Sequence, residues 1–245
     1  MNPRRVGKTP QMIDAIRDSG ARIAGSLSGL NERQGREPSP LPGWSRAHVV
    51  GHLLQSTDAY LWLLAVAREA VEPGPRADRA AITRGLEALA TRPIGELADG
   101  LADRLHRLVR EAETTPADRW DTLVSALAGW RHPAWYSLNR CLRELETHHL
   151  DLAVGYHTDD WPTAYVAWAL ADTLSALAVR DFPIARVEAV DLGLSWPVSG
   201  TGPVVSGAGH AVLGWLSGRH SGAGLSEQAL PPTPAWPMPP RPGWG

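Results

Sequence analysis

The run Arg140-Cys141-Leu142-Arg143-Glu144-Leu145-Glu146-Thr147-His148-His149-Leu150-Asp151-Leu152 decides how this chain is read. Leu138, Leu142, Leu145 and Leu152 recur at helical spacing, which predicts a helix from about Ala134 to Val154 with a leucine stripe on the core. Glu144 and His148 stand four residues apart and border that stripe, so they share a face turned partly inward. An unpaired charge there costs several kcal/mol, and a divalent cation gripped by both side chains removes that cost.

A second helix can supply the third ligand. In Gly43-Trp44-Ser45-Arg46-Ala47-His48-Val49-Val50-Gly51-His52-Leu53, Ser45 suits an N-cap, and the stripe Val49, Leu53, Tyr60, Leu63 and Ala67 carries a helix to about Arg68. His52 on that helix, with Glu144 and His148, makes a two-histidine, one-carboxylate site with a free coordination position, the arrangement of catalytic rather than structural metals. His48 lies four before His52 and could serve instead of it or beside it; spacing does not separate them. Asp151, three after His148, could accept from an imidazole N–H or border the substrate mouth. His149 points away from His148, and Cys141 reads as a small buried hydrophobe rather than a thiolate ligand.

Outward from these runs, Met12, Ile13, Ile16, Ile23, Leu27 and Leu30 predict a helix over about Gln11 to Leu30. The linker Arg36-Glu37-Pro38-Ser39-Pro40-Leu41-Pro42-Gly43 and the break Glu72-Pro73-Gly74-Pro75 cannot continue helices. Helical pattern resumes from Arg79 to Leu89 and from Ile94 to Glu113. Trp120 to Trp135 suits a short hairpin with Gly129 in its turn, and Trp161-Pro162-Thr163 opens a helix to about Asp181. After Pro183, Val187 to Val198 alternates as strands do, Val204-Val205 suits another strand, and a helix spans about Ala208 to Leu216. The tail, with Pro231, Pro232, Pro234, Pro237, Pro239, Pro240 and Pro242, shows no packing signal. The expected organisation is α+β: a helical bundle over residues 1–183 and a small second domain over 184–245.

Composition excludes several classes. The formal net charge of −2 gives no electrostatic case for nucleic acid or an anionic membrane. No apolar run approaches the roughly 20 residues a bilayer needs, and Met1 to Lys8 has positive charge without the apolar stretch of a secretory signal. The single cysteine, Cys141, permits no internal disulfide, so a cytoplasmic location is expected. Lysine occurs once, at Lys8, and one phenylalanine stands against 11 tryptophans, a bias of GC-rich genomes such as those of actinobacteria. No Gly-x-Ser-x-Gly elbow or Walker loop is present, and Gly200-Thr201-Gly202 lacks a dinucleotide-binding context.

Three pieces in this order resemble the mycothiol-dependent maleylpyruvate isomerase family. They are Leu41-Pro42-Gly43-Trp44-Ser45 leading to His52-Leu53; Arg140, Arg143-Glu144, His148 and Asp151-Leu152; and Gly207-Ala208 through Leu213-Gly214-Trp215-Leu216-Ser217-Gly218-Arg219 with the proline-rich end. The resemblance implies a DinB-like four-helix bundle followed by a small α/β domain. It further implies zinc on His52, Glu144 and His148, and mycothiol as the thiol, with no residue assigned to holding it. Arg219 matches the arginine that the family uses on its dicarboxylate substrate, and Arg79 is a second candidate anion contact. Arg219 alone also suits a helix C-terminus, satisfying the last carbonyls. The implied reaction is cis–trans isomerisation of maleylpyruvate to fumarylpyruvate by thiolate addition, rotation and elimination. Mycothiol S-transfer to another electrophile is the chief alternative, and a non-catalytic metal-binding protein the third.

Overall fold

The computed structural model describes residues 8–74, 77–226, 230–236 and 238–240. The expectations for Met1–Gly7, Pro75, Pro237 and Pro242 fall outside them. Contacts divide the chain into two compact units between Gly155 and Tyr156.

Four helices build the first unit: α1 (Lys8–Ser28), α3 (Arg46–Glu69), α5 (Ile94–Glu113) and α6 (Ala134–Asp151). Each packs on two others in the cycle α1–α5–α3–α6, a closed four-helix bundle. Its core holds Ile16 and Ile23 of α1, Leu53 and Leu64 of α3, Leu97, Leu101 and Leu108 of α5, and Leu138 and Leu145 of α6. Two shorter helices complete the unit, α2 (Glu32–Arg36) and α4 (Arg79–Ala90). The short α2 lies just before the proline linker, where no periodicity could signal it; Asn31 and Gln34 close its N-terminus as a reciprocal capping box. Gly51 lets α4 pack close to α3, since a Cβ there would lie 3.2 Å from both Leu86 Cδ1 and Leu89 Cβ. The expected hairpin is β1 (Leu123–Ser125) against β2 (Arg131–Pro133), antiparallel, with Gly129 at φ +84 in its turn.

Helix α6 ends in an unusual clamp. Ala153 adopts a left-handed φ of +51, and Arg46 Nε and Nη2 donate to the carbonyls of Leu152 and Ala153 at 2.6 and 3.1 Å. The same guanidinium reaches Gln34 O at 3.0 Å and pairs with Glu37 at 2.5 Å, while Ser39 Oγ donates to Asp151 O at 2.7 Å. One arginine at the head of α3 thereby satisfies the orphan carbonyls at the tail of α6.

The second unit holds α7 (Thr163–Ala178), β3 (Arg186–Ala189), β4 (Leu194–Pro197), β5 (Val204–Gly207) and α8 (Gly209–Leu216). The strand order is β4–β3–β5, with β3 antiparallel to β4 and parallel to β5. The alternating run from Val187 to Val198 is two strands rather than one, folded back through a turn in which Gly193 takes φ +61. The unit boundary lies at residue 155, not at the expected 183, because α7 packs on α8 and β4, burying Val166, Leu170, Leu174 and Leu177. The tail, which shows no packing signal in sequence, makes contacts in the fold. Met238 is buried, Arg180 Nη2 donates to Pro240 O at 3.3 Å, and Ser226 extends the edge of β5 by a 2.9 Å bond to Ser206 O.

Candidate metal centre

Helices α3 and α6, neighbours in the bundle, bring His52, Glu144 and His148 together, with one potential ligand atom from each lying within 4.8 Å of the others. His52 Nε2 stands 3.0 Å from Glu144 Oε2, and His148 Nε2 stands 3.3 Å from the same oxygen. The two imidazoles meet edge to face with centroids 4.6 Å apart. Asp151, itself buried, accepts from His148 Nδ1 at 2.8 Å, so Nε2 is turned into the cluster. Of the two positions left open for Asp151 by its spacing, the structure favours the imidazole acceptor.

His48 does not join them. Its Nδ1 accepts from the Ser45 backbone N–H at 3.1 Å, closing a capping box with Ser45 Oγ, and its Nε2 faces Glu87 at 3.4 Å. The helix N-terminus, not the cluster, claims that histidine. His149 turns away to Ser26 Oγ at 2.8 Å. Cys141 is buried beneath the cluster, and burial, with the charge of Glu144, pushes its thiol well up, so it stays protonated.

Charge within the cluster is tightly coupled. Burial favours the neutral acid of Glu144, yet the hydrogen bonds and charges of His148 and His52 hold it well below the usual carboxylate range. Burial likewise favours neutral His148, but its bonds to Asp151 and Glu144 win and raise it to about 9. Once an ion displaces the imidazole protons, Glu144 and Asp151 would leave two negative charges that a divalent cation matches. Two imidazole nitrogens and a carboxylate oxygen are also a donor set that suits zinc. The residues therefore fit the implied ion.

Two neighbours of His52 carried no signal beyond their spacing. Trp44 packs its ring 5.5 Å from the imidazole centroid, and Ser56, one turn on, places Oγ 3.3 Å from Nε2. His52 also lines a cavity of about 460 Å³ between α3, α4 and the β1–β2 turn. Trp62, Ala59, Leu63, Ile82 and Leu127 supply its apolar wall, and Gln55, Ser56 and Asp58 its polar atoms. Arg79 sits exposed in the first turn of α4 and is not among the residues lining that cavity. Arg219 follows α8 in the second unit, where Nη1 donates to Ser217 O at 2.6 Å and its backbone N–H to Gly214 O at 2.8 Å. A bond to Ser217 O is one that an arginine at a helix C-terminus makes.

No helix among the described residues is long and apolar enough to cross a membrane. Comparison with curated proteins finds no match. Among solved structures, a crystal structure of the mycothiol-dependent maleylpyruvate isomerase superposes with a TM-score of 0.83 at 21% identity, covering 93% of this chain and 97% of that one. A histidine-to-alanine mutant of that isomerase gives the same TM-score at 20% identity. These likenesses establish the fold. Residues 16–153, more than half of the sequence and including all three clustered side chains, match the model of the mycothiol maleylpyruvate isomerase N-terminal domain, and the chain belongs to that family.

Proposed function

We propose that the protein is a zinc- and mycothiol-dependent enzyme that works by adding a thiol to an electrophilic double bond. By the reaction named for its family, it converts maleylpyruvate to fumarylpyruvate through addition, rotation and elimination. The observation that carries this reading is the convergence of His52, Glu144 and His148 from two helices, with Asp151 behind His148.

A bound divalent ion lowers the pKa of a coordinated thiol and so supplies thiolate near neutral pH. The chain's own residues do the rest. His52, Glu144 and His148 would hold the ion, and Asp151 keeps a proton on His148 Nδ1 so that Nε2 remains a donor. Cys141, buried and held as a thiol, is no competing nucleophile, which supports an exogenous sulfur. Arg219 is the proposed carboxylate anchor and enolate stabiliser for a dicarboxylate substrate, and Arg79 the weaker second candidate.

A second reading, S-transfer in which the adduct is released, is favoured by the cavity beside His52, whose lining among the described residues holds no arginine or lysine. Incubating zinc-loaded protein with mycothiol and maleylpyruvate separates the two. Loss of the cis substrate that needs both zinc and thiol supports isomerisation. A stable thioether with another acceptor, without isomerisation, supports transfer.

A further inference from the structure

We propose that the cavity beside His52 seats the apolar body of an uncharged substrate, an α,β-unsaturated carbonyl compound bearing an aryl or alkyl group. This inference rests on the thiol-addition reading and names a further, uncharged substrate class for it.

The cavity's volume of about 460 Å³ suits a small molecule. Polar atoms of the described lining are engaged close by: Gln55 Nε2 donates to Ile82 O at 2.9 Å, Asp58 accepts from Arg104 Nε at 2.8 Å, and Ser56 Oγ meets His52 at 3.3 Å. Asp58 is paired with Arg104, and the described lining holds no arginine or lysine to receive a carboxylate. Trp62 and Ile82 gain instead by covering hydrocarbon. Leu127, at the tip of the β1–β2 hairpin, is 55% exposed yet lines the same cavity. An exposed leucine at the mouth of an apolar cavity stabilises an apolar occupant by being covered with it.

The reaction balances without an oxidant or reductant. The sulfur–carbon bond forms at the β-carbon, the π pair moves through the carbonyl to oxygen, and the thiol's proton ends on the α-carbon.

Two measurements test this. Zinc-loaded protein with mycothiol is given benzylideneacetone or maleylpyruvate, and kcat/KM is compared. The neutral enone is expected to be consumed with a kcat/KM within about tenfold of that for maleylpyruvate. Separately, binding of the neutral dye N-phenyl-naphthylamine is followed by fluorescence in the wild type, in Ile82→Arg and in the milder Leu127→Ser, each with a melting curve to show that it is folded. Ile82→Arg is expected to weaken the dye about tenfold and to shift preference toward maleylpyruvate, and Leu127→Ser to weaken it less. Dye affinity unchanged in both variants, or maleylpyruvate consumed while the enone is not, overturns the inference while leaving thiol addition intact. If neither acceptor is consumed but the dye binds and Ile82→Arg weakens it, the apolar cavity is upheld and the thiol-addition reading fails.

Discussion

At the scale of single residues, three helical side chains with one buried acceptor behind them make distinct demands. His52→Ala and His148→Ala are each expected to abolish stoichiometric zinc, measured by atomic absorption, without loss of helical circular dichroism; zinc retained in both would show that other groups hold the ion. Asp151→Asn keeps the shape but loses the anionic acceptor at 2.8 Å, and is expected to weaken zinc about 10- to 100-fold. Another buried histidine acts on stability rather than chemistry. Burial, against the bond from Nδ1 to Pro133 O at 3.0 Å, lowers His132 to about 4. The unfolded chain then binds a proton between about pH 6.5 and 4 that the folded chain refuses, so stability is complete above pH 6.5 and falls on acidification through that window. The loss amounts to about 3 kcal/mol at pH 4, and His132→Phe is expected to flatten that part of a denaturant-midpoint profile. An unchanged slope would assign the acid sensitivity elsewhere.

At the scale of elements, the clamp at the end of α6 connects stability to the site. Arg46→Ala leaves the carbonyls of Leu152 and Ala153 without their donors one turn from His148 and Asp151. It is expected to cost about 2 kcal/mol in chemical denaturation and to weaken zinc without removing a ligand. Zinc affinity equal to wild type would show that Asp151 is positioned without the clamp. In the second unit, Gly202 has φ +101 and a Cβ there would lie 2.4 Å from Pro183 O, so Gly202→Ala is expected to lower that unit's stability by about 2 kcal/mol or more. The N-cap Ser45, the leucine stripe of α6 and the β1–β2 hairpin were legible because capping and periodicity are local. The fold-back of β3 onto β4 was not, since it rests on the register of the pair and on the turn in which Gly193 takes φ +61.

At the scale of the whole molecule, all three proposed ligands and Asp151 precede the division after Gly155. We propose that a chain ending there folds cooperatively and binds zinc with the same stoichiometry; a broad, non-cooperative melt would show that the bundle cannot fold without the second unit. The expectation of a boundary after residue 183 left α7 free to pack on the bundle or to bridge to the second domain. Its apolar surface decides this, because α7 buries that surface against α8 and β4.

The sequence by itself determined the helical periods, the caps, the inward pairing of Glu144 with His148 and the family, since each depends on residues one or two turns apart or on a short run in order. Tertiary structure alone decided between His48 and His52, gave Asp151 its acceptor role, engaged polar atoms of the cavity lining and moved α7 into the second unit. Those outcomes depend on which faces meet across distant segments. Burial and hydrogen-bond competition fix that only once the chain has packed.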